Sequence, residues 1–146
     1  MTTIVYDHKN KQIACDSRTT NGYMITNDKA VKWLDKDSIK WFLSGRRGEN
    51  LTFVTNFKEL DAANEALDNF GFFIDDKVVY LANISEGYFR SCDMVCNKGI
   101  GSGGDFAMAA LDFGKTAKEA VEYAITKDYC SGGKVHVYDI EKGKFL

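Results

Sequence analysis

The chain has 146 residues, 45% of them hydrophobic and 27% charged, and its 19 basic and 21 acidic side chains leave a net charge of −2. That length fits one domain, 1–146, with a core of its own, and the even mix of charge lacks the basic footprint of a nucleic-acid binder. No apolar run approaches a membrane span and the first residues lack the charged start and long apolar core of a leader peptide, so none is expected, the cytoplasm is the expected location, and neither membrane nor nucleic acid is an expected partner.

TIVYD (3–7) alternates and is β-branched, which predicts a strand; HKNK (8–11) is a turn and QIACD (12–16) the returning strand. GYMIT (22–26) predicts a short strand behind the Asn21-Gly22 turn signal. KAVKWL (29–34) and SIKWFLSG (38–45) predict a second hairpin about DKDS. The character then changes. Leu51, Val54, Phe57 and Leu60 recur at helical spacing, which predicts an amphipathic helix within 49–67. FGFFID (70–75) and KVVYLANI (77–84) predict a hairpin turning at Asp75-Asp76, and GYFRS (87–91) a further strand.

DFAMAALDF (105–113) is apolar on almost every face and predicts a helix buried on most sides, stopped by Gly114. Thr116 and Glu119 form a capping box for the next helix, whose stripe is Ala117, Ala120, Val121, Ala124 and Ile125. SGG (131–133) breaks that helix, and KVHVYDI (134–140) predicts the last strand. Strands in hairpins rather than βαβ units argue for an α+β fold, antiparallel sheets covered by helices.

GIGSGG (99–104) spells G-x-G-x-x-G, yet it comes late and outside any βαβ unit, where a dinucleotide fingerprint does not belong. The plainer reading is a tight turn into a closely packed helix, with a nucleotide-binding module as the alternative. Cys15, Cys92, Cys96 and Cys130 read as free thiols, C-x3-C being a poor metal spacing. His8 and His136 are the only histidines, which argues against a histidine-based protease triad. No metal or cofactor is expected. DYCSGG (128–133) reads by itself as a turn, and Asp16, Lys29 and Lys32 as a turn acid and solvated lysines.

The start of the chain admits a second reading. If Met1 is removed, Thr2 carries a hydroxyl and a free α-amine on adjacent carbons. Such an amine titrates near pH 7.7–8.0, so it can take the hydroxyl proton itself, an established way of activating threonine. A lysine ammonium beside it favours the ionised hydroxyl, and an aspartate holds the lysine in place.

With that chemistry, TTIV followed by a hairpin, ACD, KAVKW, FLSG, IGSGGDFAMAAL and AITKDYCSGGKVHVYDI together resemble proteasome β-subunits and bacterial HslV, of the N-terminal-nucleophile hydrolase family. The resemblance covers residues 2–45 and 97–140. It implies a four-layer αββα sandwich of two antiparallel sheets with a shortened helical middle. It also implies a threonine-type peptidase: Thr2 as nucleophile, Asp16 orienting Lys32, and Ser102, Asp128 and Ser131 supporting the amine and its water. The backbone amide of Phe42 becomes the expected oxyanion donor, where the family has glycine. Lys29 rivals Lys32 if the strand slips. A polypeptide substrate, a homo-oligomeric ring and an ATPase unfoldase are the implied partners. The alternatives are an inactive structural or assembly subunit that keeps Met1, and an amidase acting on a small amide.

Overall fold

The structure is a computed structural model that describes residues 2–63 and 66–146. The expected loss of Met1 and part of the predicted 49–67 helix, at 64–65, lie outside the described residues. Among the described residues the class is α+β, with three antiparallel sheets and three α-helices. Contacts divide the chain into two units, Met1–Lys32 with Val95–Leu146, and Trp33–Met94.

The first unit is built on the strands β1 (Ile4–Asp7), β2 (Gln12–Cys15), β10 (Lys98–Ile100), β11 (His136–Asp139) and β12 (Lys144–Phe145), ordered β10-β1-β2-β11-β12. Val5, Ala14 and Val137 are register partners across three strands and line one face. Helices α2 (Gly104–Asp112) and α3 (Ala117–Lys127) pack on that face through Ala107, Ala110, Leu111, Ala117, Ala120, Val121 and Ala124. These mostly small side chains let helix and sheet approach closely. Gly99 and Gly104 mark the tightest point, where a Cβ on either would collide with the other's backbone. Thr116 caps α3 as its sequence predicts, the two amides of the box each donating over 3.1 Å. A separate hairpin, β3 (Thr19–Asn21) with β4 (Met24–Asn27), turns at Gly22, whose φ is +59°.

The second unit is a meander of β5 (Trp33–Lys36), β6 (Ile39–Ser44), β7 (Phe70–Asp75), β8 (Val78–Ser85) and β9 (Tyr88–Asp93), in chain order. Its tight turns fall at Asp37-Ser38, Asp76-Lys77 and Glu86-Gly87, all with positive φ, the conformation that two-residue hairpins require. The strand expected from Lys29 therefore begins only at Trp33, and the turn expected at Asp75-Asp76 sits one residue later.

The predicted long helix shrinks to α1 (Asn50–Asn56). Phe57 leaves the helix extended and joins an aromatic cluster, its ring 5.4 Å from Trp41 and 5.3 Å from Phe89. The chain then runs beside β9: Leu60 N donates to Phe89 O at 2.9 Å and Phe89 N to Asp61 O at 3.0 Å. Bonding to an open sheet edge thus replaces the remaining helical turns. Among the described residues, no helix is long and apolar enough to cross a membrane.

Candidate active site

The β1–β2 register sets Ile4 opposite Cys15. One residue further out, Thr3 faces Asp16, and the two exchange bonds. Asp16 N donates to Thr3 O at 3.1 Å, and Thr3 N donates to Asp16 Oδ1 at 3.1 Å. The hairpin thereby delivers a carboxylate to the residues that precede β1. Thr2 Oγ1 donates to Asp16 Oδ1 at 3.0 Å, while the amides of Arg18 and Gly132 donate to Oδ2 at 3.2 and 3.0 Å. Asp16 is fully buried, and this ring of donors substitutes for the water it has lost.

Lys32 follows the β3–β4 hairpin, where Ala30 N ties the returning chain to Ser17 O at 2.9 Å. Lys32 Nζ donates to Thr2 Oγ1 and, at 2.6 Å, to Arg18 O, and it lies 3.6 Å from Asp16 Oδ1. The Thr2 hydroxyl thus stands between an ammonium that donates to it and a carboxylate that accepts from it. Negative charge developing on that oxygen meets a cation already in contact. Thr2 and Lys32 are 2% and 6% exposed, so solvent does little to screen the interaction.

A second group borders Thr2 on its carbonyl side. Leaving β10, the chain passes Thr2 through Gly101, whose φ of +85° and contact with Thr2 O exclude a Cβ. Gly103 N donates to Thr2 O at 3.3 Å, and Ser102 Oγ lies 3.5 Å from the same oxygen. Asp128 ends α3 in an extended conformation. Its Oδ2 accepts from both Ser102 Oγ and Ser131 Oγ at 2.6 Å, and its Oδ1 from Cys130 N at 3.2 Å. Ser131 is fully buried, Asp128 half-buried and Ser102 exposed, so the cluster meets solvent along the Ser102–Asp128 edge.

Six of the residues singled out in the sequence, Thr2, Asp16, Lys32, Ser102, Asp128 and Ser131, therefore come together. Lys29 does not; its side chain is exposed. Phe42, the expected oxyanion donor, belongs to the other unit, in the middle of β6. It is paired with Trp33 on one side and Phe72 on the other. Its main chain therefore lies within the ladder of its own sheet.

Sequence reasoning passed over two participants, Thr3 and Arg18. The Arg18 guanidinium grips Asp28 at 2.7 and 3.0 Å and reaches Tyr129 O at 3.1 Å. This pairing raises the pKa of Arg18 and lowers that of Asp28. Arg18 thereby joins the end of the β3–β4 hairpin to the loop that carries Ser131 and Gly132. The letters S-R after Asp16 give no sign of this, because the partner Asp28 lies beyond a hairpin. Cys15, next to Asp16, is held as a neutral thiol; burial pushes its pKa up, Asp16 adds to the rise and Lys32 opposes it. Among the described residues, no three His, Cys, Asp or Glu side chains form a group that could hold a metal.

No family model matches the sequence, and no curated protein sequence matches it. Among solved structures the chain is similar to Thiobacillus denitrificans BPH, with a TM-score of 0.69 and 14% identity over 94% of this chain and 96% of that one. It is also similar to Thiobacillus denitrificans BPH in complex with epoxomicin, with a TM-score of 0.68 and 13% identity over 94% of this chain and 97% of that one. At these identities the likeness is one of fold.

Proposed function

We propose that the chain is a threonine-type peptidase that uses Thr2, freed by removal of Met1, to hydrolyse peptide bonds. The observation that carries this reading is the Thr2 hydroxyl, buried between the Lys32 ammonium and the Asp16 carboxylate. A threonine placed only to begin a sheet needs neither charge. Support comes from the shared fold with a protein whose structure is known in complex with epoxomicin, a proteasome inhibitor. The finer fold assignment, to the N-terminal-nucleophile class, is part of the same proposal.

The proposed reaction runs in two halves. The Thr2 hydroxyl gives its proton to its own α-amine, directly or through one water, as Oγ1 bonds to the scissile carbonyl carbon. Lys32 stabilises the developing alkoxide, and Asp16, bonded to the Thr3, Arg18 and Gly132 amides, fixes Lys32 in place. The tetrahedral adduct collapses as the amine's proton passes to the departing peptide nitrogen, which leaves an ester on Thr2. Water, deprotonated by the same amine, then cleaves the ester and restores the hydroxyl. Ser102, Asp128 and Ser131, bonded to one another and bordering Thr2 on its carbonyl side, support that amine and its water in this reading.

The test is a pair of measurements on purified, untagged protein. Intact mass reports whether Met1 has left, and a fluorogenic peptide panel reports cleavage by wild type and Thr2→Ala. The expected result is loss of one methionine and cleavage that Thr2→Ala abolishes. Retention of Met1 with no cleavage supports instead the assembly-subunit reading. Ring formation from copies of this chain and an ATPase partner accompany the peptidase reading; sedimentation of the wild type checks the first, and co-sedimentation with a candidate unfoldase the second.

A further inference from the structure

Thr3 takes no part in the reaction proposed above, yet it is fully buried and bonded on every side. Its amide donates to Asp16 Oδ1 and its carbonyl accepts from Asp16 N, each over 3.1 Å. Its hydroxyl meets Ser131 Oγ at 2.6 Å. The direction of that bond follows by elimination. A carboxylate only accepts, so the single hydroxyl proton of Ser131 goes to Asp128 Oδ2, 2.6 Å away. The proton between Thr3 and Ser131 therefore belongs to Thr3. The order is Thr3 hydroxyl to Ser131 hydroxyl to Asp128 carboxylate, with Ser102 donating to the same carboxylate oxygen.

Thr3 thus joins the two halves of the cluster. Its backbone is locked to the carboxylate that faces Thr2 and Lys32, and its side chain fixes the hydroxyl that orients Asp128. Resting on the peptidase reading, we infer that Thr3 is a positioning residue: its hydroxyl sets the Ser131–Asp128 pair that serves the Thr2 amine. Valine has the shape of threonine without the donor. In Thr3→Val the buried Ser131 oxygen keeps its bond to Asp128 but loses the one that steers it, whereas Thr3→Ser keeps the donor.

The experiment compares kcat, KM and melting temperature for wild type, Thr3→Val, Thr3→Ser, Ser131→Ala and the Thr3→Val/Ser131→Ala double variant. Thr3→Val is expected to lower kcat about tenfold with KM changed less than about twofold, as for a lost buried hydrogen bond felt in the chemical step. Thr3→Ser is expected to stay within about threefold of wild-type kcat, and the double variant to be no slower than Ser131→Ala alone. A Thr3→Val kcat within about twofold of wild type, or independent effects in the double variant, overturns the inference. So does a fully folded Thr3→Ser whose kcat falls about tenfold below wild type, which decides the matter even if the valine variant does not fold. The melting temperatures separate the two possible failures. Coupled melting of the pair with no Thr2-dependent cleavage by wild type refutes the peptidase reading and this inference with it. Additive melting in a chain that cleaves normally refutes the inference alone.

Discussion

Changing Asp16 to asparagine removes one charge and little volume, and the structure states what each atom then meets. Oδ1 accepts from Thr2 Oγ1 at 3.0 Å and Thr3 N at 3.1 Å; Oδ2 accepts from Arg18 N at 3.2 Å and Gly132 N at 3.0 Å. Whichever way the amide is turned, its NH2 faces two donors. Lys32, 6% exposed and 3.6 Å from Asp16, also loses its counter-charge. Removing one partner of a buried ion pair costs about 3–5 kcal/mol. For a chain of this size 1 kcal/mol corresponds to about 2–4 °C in Tm, so Asp16→Asn is expected to melt about 6–20 °C below wild type. The assay is calorimetry or circular dichroism at neutral pH, with Lys32→Met and the double variant measured alongside. The double variant no longer holds an uncompensated charge, so it recovers at least about 1 kcal/mol relative to the sum of the singles. A melting point for Asp16→Asn within about 2 °C of wild type, or strict additivity, refutes the buried pair, and with it the electrostatics on which the proposed Thr2 chemistry depends.

Gly101→Ala places a Cβ against Thr2 O at a φ of +85°; it is expected to cost about 1–3 kcal/mol in urea unfolding and to abolish Thr2-dependent cleavage, and a stable, active variant counts against that contact. Among the thiols, exposed Cys92 and Cys96 are expected to react first with a thiol reagent, Cys130 more slowly, and buried Cys15 only after unfolding, as mass mapping of the labelled peptides will report. Thr116→Ala removes the α3 cap and is expected to lower stability by about 1 kcal/mol, read as the shift in the urea midpoint. Glu119, held below the ordinary glutamate range by the Thr116 amide, stabilises the fold fully at neutral pH, and this is lost as pH falls through its lowered pKa; the Tm gap between wild type and Glu119→Gln is therefore expected to close on acidification.

The elements that the sequence predicts best are those whose signal is local. The capping box at Thr116 and Glu119 and the stripe of Ala117, Ala120, Val121 and Ala124 sit within one helix and appear as read. β7, Phe70–Asp75, matches its predicted bounds because a dense apolar run has few alternatives. The misses have non-local causes. Of the predicted Leu51–Leu60 stripe, Leu51 and Leu60 are exposed; α1 buries Phe53 and Val54, and Phe57, beyond the helix, packs on the rings of Trp41, Phe73 and Phe89. The short strands β10 and β12 carry almost no pattern of their own and exist because β1 and β11 offer them open edges. FLSG likewise does not say which strands flank Phe42; the structure places it between β5 and β7.

The resemblance of the motifs singles out Thr2, Asp16, Lys32, Ser102, Asp128 and Ser131, where residue types alone read Asp16 as a turn acid and Lys32 as a solvated lysine, but it does not give the cost of bringing them together. An isolated buried ion pair is a weak stabiliser, and apolar side chains of similar volume often serve a fold as well or better. The sheet around Asp16 is built from Ile4, Ile13, Ala14 and Cys15, all fully buried, and could have been closed with more of the same. Instead the chain buries a carboxylate, surrounds it with main-chain amides, and sets an ammonium against the same threonine hydroxyl. A purely structural role leaves that arrangement as a cost without return. Nucleophilic chemistry at Thr2 requires it, because a hydroxyl that must carry negative charge needs a fixed cation beside it, and the cation needs a fixed anion. The balance between these two accounts is what the Asp16→Asn and Lys32→Met cycle measures, since a pair kept for chemistry can be replaced jointly at little cost in melting temperature and at total cost in cleavage.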